Sequence, residues 1–352
     1  MLAFRLLRIA RDARVPPRAA LSRLRHASPN LPAMSATPSE APSDALRTLL
    51  RSFAQIVLQR DAATGACVLA AWLVSDVRLA CAALAGAIAA NVGAVLRGYD
   101  CDDTRDGLHG FNGVLAGLAA FTFIADDATA MAVAILAATA AAWMLGPWTR
   151  WLRARGLGFY SSPCLLVTWA WLPFAHLAPT HAVVSEAAVA FDPIRGVLAG
   201  IAQTSFAGGA VAGVVIVAGI ALSSLRAALV ALAGAALATL AQWLASADRS
   251  SLDAGLLGFN GALAALALAD CGALAALGGV GVAIVLQQAA SLCGVPAMTA
   301  PFVIATWTMH RVMRDTRREG PDAGNRPSTS TLCTSAEAGH RETTTRAVSP
   351  EL

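Results

Sequence analysis

The chain has 352 residues, 57% of them hydrophobic and only 14% charged, with a net charge of +4 and a mean hydropathy of +0.60. Soluble globular domains carry roughly 25% charged residues, so this deficit, with the apolar residues gathered in long runs, excludes an ordinary soluble core and indicates an integral membrane protein. The seven Cys and six His are scattered without metal-ligand spacing, so no metal, cofactor or disulfide framework is expected.

Residues 1–45 are rich in Arg, Pro, Ser and Ala and lack apolar periodicity. They read as a disordered cytoplasmic tail. Residues 1–30 contain seven Arg and one acid, Asp12, a balance that also resembles an organellar transit peptide. They lack the compact apolar stretch and small-residue cleavage site of a secretory signal. Apolar stretches follow near 51–75, 77–97, 108–124, 128–146 and 161–176. A second set runs near 199–221, 225–246, 256–269, 273–292 and 299–312. A crossing helix needs about 20 apolar residues, and 256–269 and 299–312 fall short of that. Residues 319–352, rich in Gly, Ser, Thr and charge, read as a second disordered tail. Arg clusters at 150–155 and 311–318 flank apolar segments. That context favours the positive-inside rule over nucleic-acid binding and places both termini in the cytoplasm.

The two sets of stretches are copies. Gln55 and Gln203, Gly65 and Gly213, Arg78 and Arg226, and Gly107 and Gly255 all stand 148 residues apart. GLHGFNGVLAGLAA (107–120) and GLLGFNGALAALAL (255–268) agree at ten of fourteen positions. SSPCLLVTW (161–169) aligns with TAPFVIATW (299–307) at an offset of 138, so one connection is ten residues shorter in the second half. The membrane repeats are expected at 46–180 and 194–318. An odd number of crossings per repeat inverts the second copy relative to the first, as in inverted-repeat transporters.

Three repeated features carry candidate chemistry. Gly110, Asn112 and Gly113, repeated as Gly258, Asn260 and Gly261, favour a helix break. Within lipid such a break survives only when buried in protein or lining a cavity, and its helix-end carbonyls become available to a solute. Phe111 and Leu115, repeated as Phe259 and Leu263, are four residues apart and share a helical face; facing pairs make a flat apolar slot. Pro163 and Pro301 disturb the helix locally, and Ser161 and Thr299, two residues earlier, each bring a hydroxyl near mid-membrane. Gln55 and Gln203 add uncharged amides. Apart from Asp76, between two apolar runs, the Asp residues of the membrane body lie at segment ends or in loops. A proton- or sodium-coupled transporter typically buries an ionisable group in the membrane, so the pattern favours a neutral solute and passive flow.

On the motifs G-L-x-G-F-N-G in both halves, P-A-M-T-A-P-F-V-I-A-T-W (296–307) and S-S-P-C-L-L-V-T-W, the chain resembles the urea transporter family over most of 46–312. The resemblance implies an all-α membrane protein of two inverted repeats, with about ten transmembrane helices and two tilted half-membrane helices around a central pore. It implies a homotrimer in the cell membrane, urea as the solute, and no catalytic step or cofactor. It assigns Phe111, Leu115, Phe259 and Leu263 to the slot walls, Ser161 and Thr299 to the central constriction, and Gln55 and Gln203 to the mouths. Leu58 and Phe206, each three residues after its Gln, are further lining candidates. Three positions depart from the family pattern: Ser161 for Thr, Cys164 for the Phe of T-A-P-F, and Gln203 where an acid can occur. A channel for another small neutral solute (ammonia, water, a short amide) and an ion-coupled transporter are the alternative readings.

Overall fold

The computed structural model describes residues 41–175 and 192–319. The two expected tails lie almost wholly outside the described residues, as does most of the connection between the halves.

The described chain is all-helical, without a β-strand. The first half contains α1 (Ala41–Ala54), α2 (Ala62–Ser75), α3 (Val77–Leu96), α4 (Cys101–Arg105), α5 (Phe111–Phe123), α6 (Asp127–Arg153) and α7 (Ser162–Trp171). The second contains α8 (Pro193–Gln203), α9 (Gly209–Ser223), α10 (Leu225–Leu244), α11 (Arg249–Asp253), α12 (Phe259–Leu268), α13 (Ala273–Leu292) and α14 (Ala300–Glu319). Each half has seven of these helices, and their lengths run in parallel up to the last pair, where α7 has 10 residues and α14 has 20.

Aspartates start many of these helices. Asp61 accepts from the Ala63 and Thr64 N–H groups at the head of α2, and Asp192 from Ile194 and Arg195 at the head of α8. Asp76, ambiguous in the sequence, caps α3 through the Arg78 N–H at 2.8 Å. Asp126 caps α6, and bonds from the Thr129 hydroxyl and N–H hold its carboxyl below the usual range. A carboxylate that satisfies orphan N–H groups is stabilising at a helix start.

Ten crossing stretches were expected. Among the described residues four helices, α3, α6, α10 and α13, have the length and apolarity to cross a membrane. The stretch at 51–75 is not one helix: α1 and α2 meet at a 78° bend. The chain turns there because Leu58 takes a left-handed conformation (φ 57°) and Asp61 starts a new helix. The remaining apolar helices are shorter, and several begin or end beside the site described below. Outward faces stay apolar, with Leu136, Leu222, Leu274 and Val285 exposed, as expected of a surface solvated by lipid.

Positive φ angles repeat with the sequence. Leu58 and Phe206, Gly98 and Ser246, and Gly107 and Gly255 pair at the 148-residue offset; Gly156 and Gly294, and Tyr160 and Met298, pair at 138. Left-handed backbone is unfavourable for Leu, Phe, Tyr or Met, so a sharp change of direction is imposed at these places in both copies.

Small residues bring the helices together. A Cβ on Gly65 would collide with the Leu50 carbonyl, and one on Gly213 with the Leu198 carbonyl. Contact between the halves runs through α2 against α9 and α7 against α14. The Thr64 hydroxyl donates to the Gly219 carbonyl at 2.8 Å, and the Trp72 indole to the Ser205 carbonyl at 2.7 Å.

Candidate functional site

The chain is interrupted just before each Gly-Phe-Asn-Gly motif, at residues 106–110 and 254–258, and a helix opens at Phe111 and at Phe259. Gly110 and Gly258 therefore flank a break, but Asn112, Gly113, Asn260 and Gly261 lie in the first turns of α5 and α12. This corrects two expectations. The Asn residues do not adopt broken backbone, and what a helix start leaves over is N–H donors rather than carbonyls.

The Asn side chains instead cap a different helix. Asn112 Nδ2 donates to the Tyr160 carbonyl at 3.1 Å, and its Oδ1 accepts from the Cys164 N–H at 3.1 Å. Asn260 repeats both bonds, to the Met298 carbonyl at 3.0 Å and from the Phe302 N–H at 3.2 Å. Cys164 and Phe302 stand in the first turns of α7 and α14, whose N–H groups have no intrahelical acceptor. Pro163 and Pro301 are the second residues of those helices. There a missing N–H costs nothing, so the prolines start these helices rather than kink them.

These caps fix the residues on which α7 and α14 begin. Ser161 and Thr299 meet across the two halves, hydroxyl to hydroxyl, at 2.8 Å. Both are buried. Each Trp of the two Thr-Trp pairs locks this meeting from the opposite side. Trp169 Nε1 donates to the Pro296 carbonyl at 3.0 Å, and Trp307 Nε1 to the Gly158 carbonyl at 2.7 Å. The two acceptors stand 138 residues apart, as the two donors do.

A cavity reaches the Ser161–Thr299 pair. It is lined by Gln55, Ile56, Leu58, Phe111, Leu115, Tyr160, Ser161, Thr204, Leu263, Thr299 and Phe302, and it is narrow, with room for about one water molecule. Seven of the ten lining candidates chosen from the sequence are in that set. Gln203, Phe206 and Phe259 are not. Phe206 packs against the main core, and Phe259 is buried with Leu165, Leu263 and Phe302. Gln55 is held at the cavity by its Nε2 bond to the Asp106 carbonyl at 3.0 Å.

Four lining residues escaped the sequence reading: Ile56, Tyr160, Thr204 and Phe302. Ile56 and Thr204 each follow a repeated Gln, so the same 148-residue offset marks them. Tyr160 takes a φ of 43° beside Ser161, and its ring meets Phe302 edge-on at 5.5 Å.

No group of three or more potential metal ligands occurs among the described residues. The site offers uncharged hydroxyls and the Gln55 amide set among apolar side chains. Such a set exchanges hydrogen bonds with a small polar molecule and leaves an ion unsolvated.

The family model described as urea transporter matches residues 46–314, which include every residue of this site. No curated protein sequence matches the chain.

Proposed function

The chain belongs to the urea transporter family, and on that premise we propose that it conducts urea passively, as a channel, through the slot at the meeting of its two halves. Urea transport and a multi-pass membrane body follow from the family and the apolar helices. The channel mechanism and the lining residues are our reading. The observation that carries it is the Ser161–Thr299 pair, two buried hydroxyls from opposite halves bonded at 2.8 Å at the end of an apolar cavity.

Urea is flat, neutral and strongly hydrogen-bonding. Stripping its water without replacement costs several kcal/mol, on the order of 4–8 for an amide-like group entering a medium that cannot bond it. A channel must return those bonds along the path. Gln55 serves one mouth and Gln203 the other. The carbonyls that close α1 and α8 are taken by the chain itself, Ala54 and Gln55 by the Gln59 and Leu58 N–H groups and Ala202 and Gln203 by the Ala207 and Phe206 N–H groups, so side-chain amides and hydroxyls supply the bonds along the path. Phe111, Leu115, Leu263 and Leu58, which line the cavity, form walls that a hydrated ion cannot pass, because they replace none of its shell, and we assign Phe259 and Phe206 to the path beyond that cavity. At the centre urea parts the two hydroxyls and bonds to both. Each bond is weak enough to release quickly, as conduction requires.

In the same reading the two copies have inverted topology. Each contributes five crossings and one half-membrane helix. Helices α1 and α8, 14 and 11 residues long and each followed or ended by its Gln, are the half-membrane pair. The Arg clusters at 150–155 and 311–318 face the cytoplasm, as do both termini. Three subunits assemble in the cell membrane, each with its own slot.

The experiment is urea flux into liposomes holding the purified protein. We expect urea to equilibrate down its gradient far faster than in empty liposomes and faster than ammonia or water relative to the same control. Neither a proton nor a sodium gradient should change the rate. Accumulation against the urea gradient, or dependence on either ion, would make the chain a coupled transporter instead.

A further inference from the structure

Behind each slot wall lies a polar residue that the transport reading does not use. In the second half it is Thr239, on α10. Its side chain is 2% exposed and its hydroxyl has no hydrogen-bond partner. Thr122, Thr139, Thr306 and Thr308 sit in comparable helical positions, and each hydroxyl donates to the carbonyl four residues earlier at 2.8 Å. Thr239 makes no such bond. Its Oγ1 is turned toward α12, 2.7 Å from the position a Cβ would take on Gly258. Gly258 is the N-cap residue just before α12, a helix of 10 residues whose first N–H groups lack intrahelical acceptors.

The first half repeats the arrangement. Asn91 is the counterpart of Thr239, 148 residues earlier, and Gly110 is the counterpart of Gly258. Both polar atoms of the Asn91 side chain are buried and unpartnered, and its Nδ2 lies 2.8 Å from the Cβ position of Gly110. The Ser52 hydroxyl crowds the same point, its one donated bond going to the Thr48 carbonyl.

We propose that a water molecule binds at each of these two places, between α10 and the start of α12 and between α3 and the start of α5. A buried acceptor that faces helix-start N–H groups needs a molecule that both donates and accepts. Buried waters typically make about three such bonds. At the second site the water donates to Thr239 Oγ1 and accepts from the opening turn of α12. At the first it bonds the amide of Asn91 and the oxygen of Ser52. Each water ties the helix that carries a slot Phe to the helix behind it, in a region where lipid offers no replacement partner. Glycine is required at 110 and 258 because a methyl group there would take the space of the bonding atoms. The proposal does not depend on which solute passes the slot.

The test is thermal unfolding of the purified full-length protein in one detergent, comparing wild type with Thr239→Val and Thr239→Ser. Valine keeps the shape and removes the oxygen. A hydroxyl bound to water stabilises, so Thr239→Val should lower the unfolding midpoint by about 2–4 °C and Thr239→Ser should leave it nearly unchanged. A surplus hydroxyl is a net cost, so a raised or unchanged midpoint in Thr239→Val would overturn the proposal. So would an equal fall in both variants, which would mean that the methyl group matters and the oxygen does not. An experimental map at about 2 Å resolution should show density within hydrogen-bonding distance of Thr239 Oγ1 and of Asn91; protein atoms packed against both, with nothing between, would contradict it.

Discussion

At the start of α7, Asn112 makes two bonds, and at the start of α14, Asn260 makes three. The third runs from Asn260 Nδ2 to Gln287 Oε1 at 2.7 Å. The residue 138 positions before Gln287 is Thr149, too short to reach, and its buried hydroxyl has no partner. Similar differences recur around the cavity. Ile56 in one half answers to Thr204 in the other, Leu58 to Phe206, Tyr160 to Met298 and Cys164 to Phe302. By contrast most of the positive-φ residues, the two Asn caps and the exchanged Trp bonds coincide. The copies agree at most places where the backbone turns or is capped, although Gly209 and Gly272 take positive φ in the second half alone, and at the candidate lining they keep the repeated Gln, Phe and Leu while the four pairs just named differ. Backbone constraint in lipid is strict because an unsatisfied N–H or C=O finds no water.

The shared frame is tested by substitutions that ought to act alike in both halves. Gly65→Ala and Gly213→Ala should each be severe, about 3 kcal/mol or more, because the new methyl meets backbone that cannot yield. The yield of monodisperse protein and its unfolding midpoint would report this. Tolerance of one and not the other would break the equivalence of the two bends.

The caps should separate the halves. Asn260→Leu removes three bonds and strands the Phe302 N–H, for roughly 3 kcal/mol; Asn112→Leu removes two and should cost roughly 2. Thr149→Gln, which lengthens the unpartnered side chain toward Asn112, should narrow that gap. Equal losses at the two Asn positions would mean that the Gln287 bond contributes nothing.

Smaller still are the Trp exchanges. Trp307→Phe and Trp169→Phe each delete one bond between the halves, for about 1 kcal/mol. The loss should be greater at Trp307, whose 2.7 Å bond is less exposed than the 3.0 Å bond of Trp169, a residue 36% exposed. Unfolding midpoints of the two variants would rank them.

Much of this frame was legible in the sequence, and the reasons are physical. The apolar runs marked the membrane segments, with most Asp at their ends or in loops; that Asp61, Asp76, Asp126 and Asp192 cap helices is added by the structure. The duplication marked the Gly-Phe-Asn-Gly and Pro elements as special, and it pointed to the pair at 161 and 299. What each residue of those motifs does was not legible. Asn112 finds its partner 52 residues away at Cys164, and Trp169 finds its own 127 residues away at Pro296. Local pattern carries no trace of such a partner. Reading Asn as a breaker of its own helix, instead of the cap of another, followed from seeing only its neighbours. The bend between α1 and α2 was hidden because Leu58, the residue forced to positive φ, is one that seldom adopts it.

The central claim is that two hydroxyls, one from each half, hand urea across the middle of the slot. Urea flux by the protein in liposomes, wild type against Thr299→Val, tests it most directly, since valine keeps the shape of threonine and removes only the oxygen. The account predicts a fall of roughly tenfold, the effect of losing about 1.4 kcal/mol of hydrogen bonding at the barrier, with the protein folded and its unfolding midpoint close to wild type. Unchanged urea flux in that folded variant would contradict it.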